Sequence, residues 1–218
     1  MKLKYFYILI LMLLSTSSFA QKWTKSSEST TYPEKVNRPK LVVGMVVDQM
    51  RWDFLYRYYD RYSKGGFKRL INEGFSAENT LIPYTPTVTA CGHASIYTGT
   101  VPAINGIIGN NWFDPQIGRD VYCVEDKNVK TVGSNSIEGL MSPKNLMVTT
   151  ITDELRMATN FRSKVISISI KDRGAILPGG HTANGSFWYD DVSGNFIDRK
   201  STRLNSSHST LSRMPSSA

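Results

Sequence analysis

Apolar positions recur along this chain in short continuous runs, at helical spacing and in strict alternation, and their succession predicts an α/β protein. Residues 41–47 read LVVGMVV, a valine-rich run suited to a central parallel strand buried on both faces. Asp48 ends that run. Residues 52–62, WDFLYRYYDRY, place Phe54, Leu55, Tyr58 and Tyr62 on one helical face. Gly65 and Gly66 interrupt the pattern. Residues 67–73 resume it, with Phe67, Leu70 and Ile71 inward and Gly74 as the stop. Residues 75–82 read as a second strand. Residues 90–97 lack proline and end near Gly99, so they predict a helix opened by Thr89. Residues 112–139 are rich in turn formers and predict a hairpin or excursion. Ser142-Pro143 marks a helix start or a loop. Residues 146–159 carry Leu146, Met147, Ile151, Leu155 and Ala158 at helical spacing, and residues 164–170, KVISISI, alternate as a strand. This order predicts a mostly parallel sheet with helices on both faces and right-handed crossovers.

Both ends depart from that pattern. Lys2 and Lys4 precede an apolar run over residues 5–14, and Ser18-Phe19-Ala20 is a small-x-small site, so residues 1–20 read as a secretory signal peptide. The run is shorter than the roughly 20 residues of a membrane span. No cysteine follows the cleavage point, which argues against a lipid anchor. The mature protein is expected to be periplasmic or secreted, off the membrane and monomeric. Residues 21–38 form a polar leader. Residues 198–218 are polar and aperiodic and resemble the translation of a sequencing adapter. They are expected to be foreign to the gene and to pack against nothing. On that reading the natural chain continues past Ile197, and residues 39–197 are the N-terminal part of a larger domain.

Removing both ends lowers the net charge from +8 to +3, which weakens any case for nucleic acid as a partner. The two cysteines, Cys91 and Cys123, make no disulfide framework. They could pair in an exported protein, but a small buried thiol is the favoured state of Cys91.

The candidate chemistry gathers in residues 85–110, TPTVTACGHASIYTGTVPAINGIIGN. Thr89 stands where the first helical N–H groups lack partners and bind anions, phosphate above all. The same place suits an ordinary N-cap threonine. Asn110 could donate to an oxygen of the same anion. Asp48 follows a strand at its carboxyl end, where open α/β sheets bind ligands, but an aspartate there is equally a helix cap. Lys171 and Arg173 follow the last strand. Positions i and i+2 of an extended segment face one side, so the two cations can reach one point. Two solvated charges are the alternative. His93, one turn after Thr89, is expected to pack or orient, and His181 lies in a loop expected to border the site.

In order, V-V-D-x-M at Asp48, P-T-x-T-x-x-x-H-x-x-x-x-T-G around Thr89, Asn110 placed 21 residues later, and Lys171-x-Arg173 resemble the alkaline phosphatase superfamily. The resemblance is to the branch with a threonine nucleophile, which holds periplasmic alkaline phosphatases and nucleotide pyrophosphatase/phosphodiesterases. It implies Thr89 as the nucleophile of a covalent phosphothreonine route and as a metal ligand. It implies Asp48 as a further metal ligand, two zinc ions, and Asn110, Lys171 and Arg173 on the phosphate. Phosphate monoesters of small molecules are the implied substrates, because the diesterases of the branch lack the Lys-x-Arg pair. A monoester dianion has one more charge to neutralise than a diester. A phosphodiesterase is the alternative enzyme, and an exported binding domain with Thr89 as a mere cap is the alternative outside enzymes. Cys91-Gly92-His93-Ala94-Ser95 does not fit the sulfatase motif C/S-x-P/A-x-R. Neither His93 nor His181 matches the zinc histidines of the branch, so the other ligands are expected outside this sequence.

Overall fold

The computed structural model describes residues 39–199. The expected signal peptide and leader, and residues 200–218, lie outside the described residues. Two compact units divide between Met45 and Val46. In the first, residues 39–45 are irregular, and Leu41, Val42, Val43 and Met45 are exposed. The second unit holds every described helix and strand.

The second unit begins with two small helices, α1 (Phe54–Arg57) and α2 (Gly66–Glu73), with a 3-10 turn at Tyr59–Arg61 between them. The aromatic run over 52–62 therefore makes two short turns rather than one helix. Gly74 does stop α2. Its role there is close approach, since a Cβ would lie 2.5 Å from the Leu70 carbonyl oxygen. Next come α3 (Thr89–Thr98) and α4 (Pro102–Asn105), each ended by a glycine with positive φ, Gly99 and Gly106.

A hairpin of β1 (Asn111–Asp114) and β2 (Arg119–Tyr122) follows, as the turn-rich composition predicts. After β3 (Thr131–Val132) and a 3-10 turn at Ile137–Gly139 comes α5 (Ile151–Ala158). Helical spacing over 146–159 overran its start. Thr150 and Asp153 form a capping box that fixes the first turn at Ile151.

The chain then runs β4 (Ile166–Ser169), α6 (Asp172–Gly179), β5 (Gly185–Asp190) and β6 (Asn195–Arg199). The four-stranded sheet has the order β3-β6-β5-β4. β4 and β5 are parallel, joined through α6, while β5–β6 and β6–β3 are antiparallel. The protein is α/β, but the sheet is mixed and not mostly parallel. The reason lies at Gly194, whose positive φ and 2.8 Å hydrogen bond to the Asp190 carbonyl close a tight turn that can only join antiparallel strands.

Two expected strands do not form. Residues 41–47 and 75–82 carry no ladder, and Phe75, Leu81 and Ile82 are exposed. Apolar content alone makes no strand when no neighbour offers hydrogen bonds. The boundary expected at 198 is also displaced. Asp198 and Arg199 belong to β6, and the Asp198 carboxylate accepts the Ser186 N–H at 3.0 Å.

The core lies between α3, α6 and one face of the sheet. Ala90 and Ala94 of α3 meet Ala175, Ile176 and Leu177 of α6, with Trp188 and Ile197 from the strands and Ile107, Cys123, Val124 and Leu146 from the connections. Burial of each large side chain contributes about 1.5–3 kcal/mol. Both cysteines are buried thiols and not a disulfide. Burial raises the pKa of each, that of Cys123 to about 12.

Candidate active site

Helix α3 is where the site starts. Its N-cap is Val88, in extended conformation, so Thr89 is the first helical residue and not the cap. The Thr89 side chain makes no cap bond. Instead its hydroxyl donates to Asp48 Oδ2 at 3.0 Å, across 41 residues of sequence. Asp48 is likewise no helix cap, since the N-cap of α1 is Asp53. The capping alternatives for both residues are thereby removed.

Asn110 reaches the same helix end. Its Oδ1 accepts the Ala90 N–H at 2.9 Å. Because a backbone N–H can only donate, this bond fixes the carboxamide orientation and leaves Nδ2 as the side chain's donor. His93, buried one turn on, has Nδ1 2.8 Å from the Thr89 carbonyl oxygen. A carbonyl only accepts, so Nδ1 carries the proton in this contact. His93 thus braces the first turn of α3, the orienting role expected of it.

Arg173 comes to this region on α6. That helix packs on α3, and a Cβ built at Gly174 would lie 3.9 Å from His93 Nε2. Lys171 is the N-cap of α6, in extended conformation and exposed, while Arg173 is already helical. The extended alternation expected to aim both cations at one point therefore fails at Asp172. Arg173 is three-quarters or more buried, its side chain 15% accessible, and its Nη1 donates to the Tyr122 hydroxyl at 2.8 Å. Burial opposes its charge, but Tyr122 and the Asp172 carboxylate raise its pKa further and keep it a cation.

Sequence reasoning missed Tyr122 and Asp172. The Tyr122 hydroxyl donates to Asp172 Oδ1 at 2.7 Å. Burial, with the Asp172 charge, pushes the phenol pKa well up, so it stays protonated and able to donate. Only the acidic residue inside Lys171-Asp172-Arg173 hinted at this arrangement. His181 lies in the loop after α6, where its N–H donates to Asp153 Oδ2 at 3.1 Å.

The zinc implied by the resemblance can be tested against these donors. A zinc site takes four ligands, mostly imidazole, thiolate or carboxylate. Asp48 and Thr89 supply one carboxylate and one hydroxyl, and no group of three or more His, Cys, Asp or Glu suited to a metal occurs among the described residues. These residues alone do not fit a zinc site.

The N-terminal turn of α3 thus carries a hydroxyl bonded to a carboxylate and a carboxamide oriented by the Ala90 N–H, while a mostly buried arginine stands on α6, the helix packed against it. Comparison with known proteins narrows the class. The family profile for type I phosphodiesterase / nucleotide pyrophosphatase matches residues 42–213. Alkaline phosphatase PhoV of Synechococcus elongatus is 76% identical over 90% of this chain and 36% of its own length. A protein of Myroides odoratus named calcium-transporting ATPase is 63% identical over 75% of this chain and 30% of its own. The crystal structure of wild-type alkaline phosphatase PafA superposes with a TM-score of 0.74 at 57% identity, covering 76% of this chain and 32% of that one. A crystal structure of a PafA variant, with a threonine, an asparagine, a lysine and an arginine substituted, superposes with a TM-score of 0.74 at 55% identity. The chain belongs to the type I phosphodiesterase / nucleotide pyrophosphatase family, within the alkaline phosphatase superfamily. It spans about a third of the length of these relatives. No helix among the described residues is long and apolar enough to cross a membrane.

Proposed function

We propose that this chain carries the nucleophile and phosphate-binding part of an exported, metal-dependent phosphatase acting on phosphate monoesters of small molecules, and that it is inactive without the rest of that protein. The observation that carries the proposal is the Thr89 hydroxyl, spent on Asp48 rather than on capping its own helix. In the proposed reaction Thr89 Oγ1 attacks phosphorus and its proton passes toward Asp48. The ester P–O bond breaks, the alkoxide leaves and takes a proton from solvent water, and a second water then attacks phosphorus, giving its hydroxide to the phosphate as Thr89 Oγ1 leaves and is reprotonated from Asp48. The α3 N-terminus and the Asn110 Nδ2 group stabilise the charge that grows on the non-bridging oxygens, and Arg173 and Lys171 complete the set. The zinc of the resemblance would require donors beyond Asp48 and Thr89, so no step here passes through it. Export rests on the signal-peptide pattern of residues 1–20.

The substituted PafA residues support these assignments. In that protein's numbering the threonine and asparagine are 21 positions apart and the lysine and arginine two apart. Thr89 and Asn110, and Lys171 and Arg173, have those separations here. The family description favours a second reading, phosphodiester hydrolysis. Against it stand the two cations, which suit a dianion.

The test, made on the full-length protein because the further metal donors are expected outside this sequence, is turnover of p-nitrophenyl phosphate and of its bis-ester, with acid quench and peptide mass spectrometry. The expected result is a phosphoryl group on Thr89 and a preference for the monoester. Turnover with Thr89 unmodified and phosphate on another residue would overturn the nucleophile assignment. A preference for the bis-ester would establish the diesterase reading.

A further inference from the structure

Resting on the phosphatase reading, we propose that Tyr122 is a positioning residue that keeps the Arg173 cation available to a phosphate dianion. The β1–β2 hairpin leads from Asn110 to Tyr122. The Cys123 N–H donates to the Asn110 carbonyl at 2.9 Å and closes the hairpin's base. One hydrogen-bonded hairpin thus holds the Asn110 carboxamide at its entrance and the Tyr122 phenol at its exit. The phenol spans two charged groups, donating to Asp172 Oδ1 at 2.7 Å and accepting from Arg173 Nη1 at 2.8 Å.

Asp172 is the natural competitor for Arg173. It is adjacent in sequence, its Oδ1 already accepts the Arg173 N–H at 2.6 Å, and both side chains are mostly buried. Yet the two charges stay 3.9 Å apart at their nearest atoms, too far for a hydrogen bond. The Tyr122 hydroxyl occupies the carboxylate oxygen that the guanidinium would otherwise take. Without that hydroxyl the guanidinium can close onto Asp172 as a direct pair, which would neutralise the cation the dianion needs. The Tyr122 ring also lies under the guanidinium, its centroid 6.0 Å from the central carbon, so ring and hydroxyl together limit where the cation can go.

Tyr122→Phe deletes the hydroxyl and keeps the ring. Two measurements follow on the full-length protein: the heteronuclear NOE of the Arg173 Nε–Hε group, and calorimetric titration with inorganic phosphate, at a pH where it is a dianion, against dimethyl phosphate. The variant should weaken phosphate binding about tenfold, the scale of one charge-assisted contact, and shift the Arg173 signal. Dimethyl phosphate should change less than about twofold, because a monoanion relies less on the second cation. The double variant Tyr122→Phe with Asp172→Asn should recover most of the phosphate affinity, since the competing charge is gone. A purely structural role for Tyr122 predicts no such recovery, and its absence overturns the proposal. Equal weakening of both ligands also overturns it. An unsubstituted full-length protein that binds neither ligand would count against the phosphatase reading instead, and an unmoved Arg173 signal in Tyr122→Phe would then independently reject the positioning role.

Discussion

Thr89 separates two kinds of residue that look alike in a sequence. A threonine before a helical run is ordinarily a cap, and its removal costs about 1 kcal/mol of stability. Here the cap position belongs to Val88, and the hydroxyl is directed across the chain at Asp48. Thr89→Ala should therefore shift the thermal unfolding free energy by less than about 0.5 kcal/mol, the range of substitutions that touch no structural feature, while removing any phosphoryl transfer. A loss of a full cap's worth of stability in calorimetry would return Thr89 to a structural role. The sequence singled out Thr89, Asn110 and Asp48 as candidates far apart along the chain, and the structure joins them through Asp48 Oδ2 and the Ala90 N–H. Tyr122 was not legible. It sits 12 residues from Asn110 in a turn-rich stretch, and only the tertiary contact of β2 with α6 gives its hydroxyl a purpose.

Between elements, Asp153 ties the start of α5 to the end of α6. Its Oδ2 accepts from the Thr150 N–H and hydroxyl and from the His181 N–H, and its Oδ1 accepts from the Thr182 N–H and hydroxyl. Gly180 gives the loop room, since a Cβ there would lie 2.3 Å from Thr150 Oγ1. Burial alone would raise the Asp153 pKa, but this ring of donors outweighs it and holds the pKa below its ordinary value. A depressed carboxylate stabilises the fold above its unfolded pKa, about 4, and loses that contribution as pH falls through the lower folded value. Asp153→Asn keeps one acceptor oxygen but turns an amino group toward two donors. It should cost on the order of 3 kcal/mol in urea unfolding at neutral pH and flatten the acid limb of the stability profile below about pH 4. An unchanged acid limb would show that other carboxylates, Asp190 among them, carry the acid sensitivity. The sequence announced this element poorly. Thr150-x-x-Asp153 is a cap signal, but helical spacing beginning at Leu146 hid it, and Gly174 and Pro178 concealed α6 altogether.

Across the whole molecule, what could be read in advance was composition and period, and what could not was pairing. The alternation of KVISISI correctly located β4, whereas the richer apolar run at 41–47 made no strand, because a strand exists only with a neighbour to share its hydrogen bonds. The same logic bears on the outer face of the sheet. β4 is an edge strand among the described residues, and α6 covers only the side that carries Ser167, Ser169 and Trp188. On the other side Ile166, Ile168 and Ile170 are 61%, 63% and 75% exposed, and Tyr189 and Phe196 lie exposed beside each other in the neighbouring strands. An apolar edge with an unpaired backbone ladder is a template for a second copy. Because relatives about three times as long have further chain to cover this edge, the prediction is for this chain by itself, which should associate as its concentration rises. Sedimentation velocity over a concentration series should show the mean mass of this chain rising. Ile166→Thr with Ile168→Thr, which keeps β-branched side chains and strand preference while lowering apolar area, should reduce that rise without changing the circular dichroism spectrum. If the double variant associates as strongly as the unsubstituted chain, the contact lies elsewhere on the surface and the β4 edge is covered in solution.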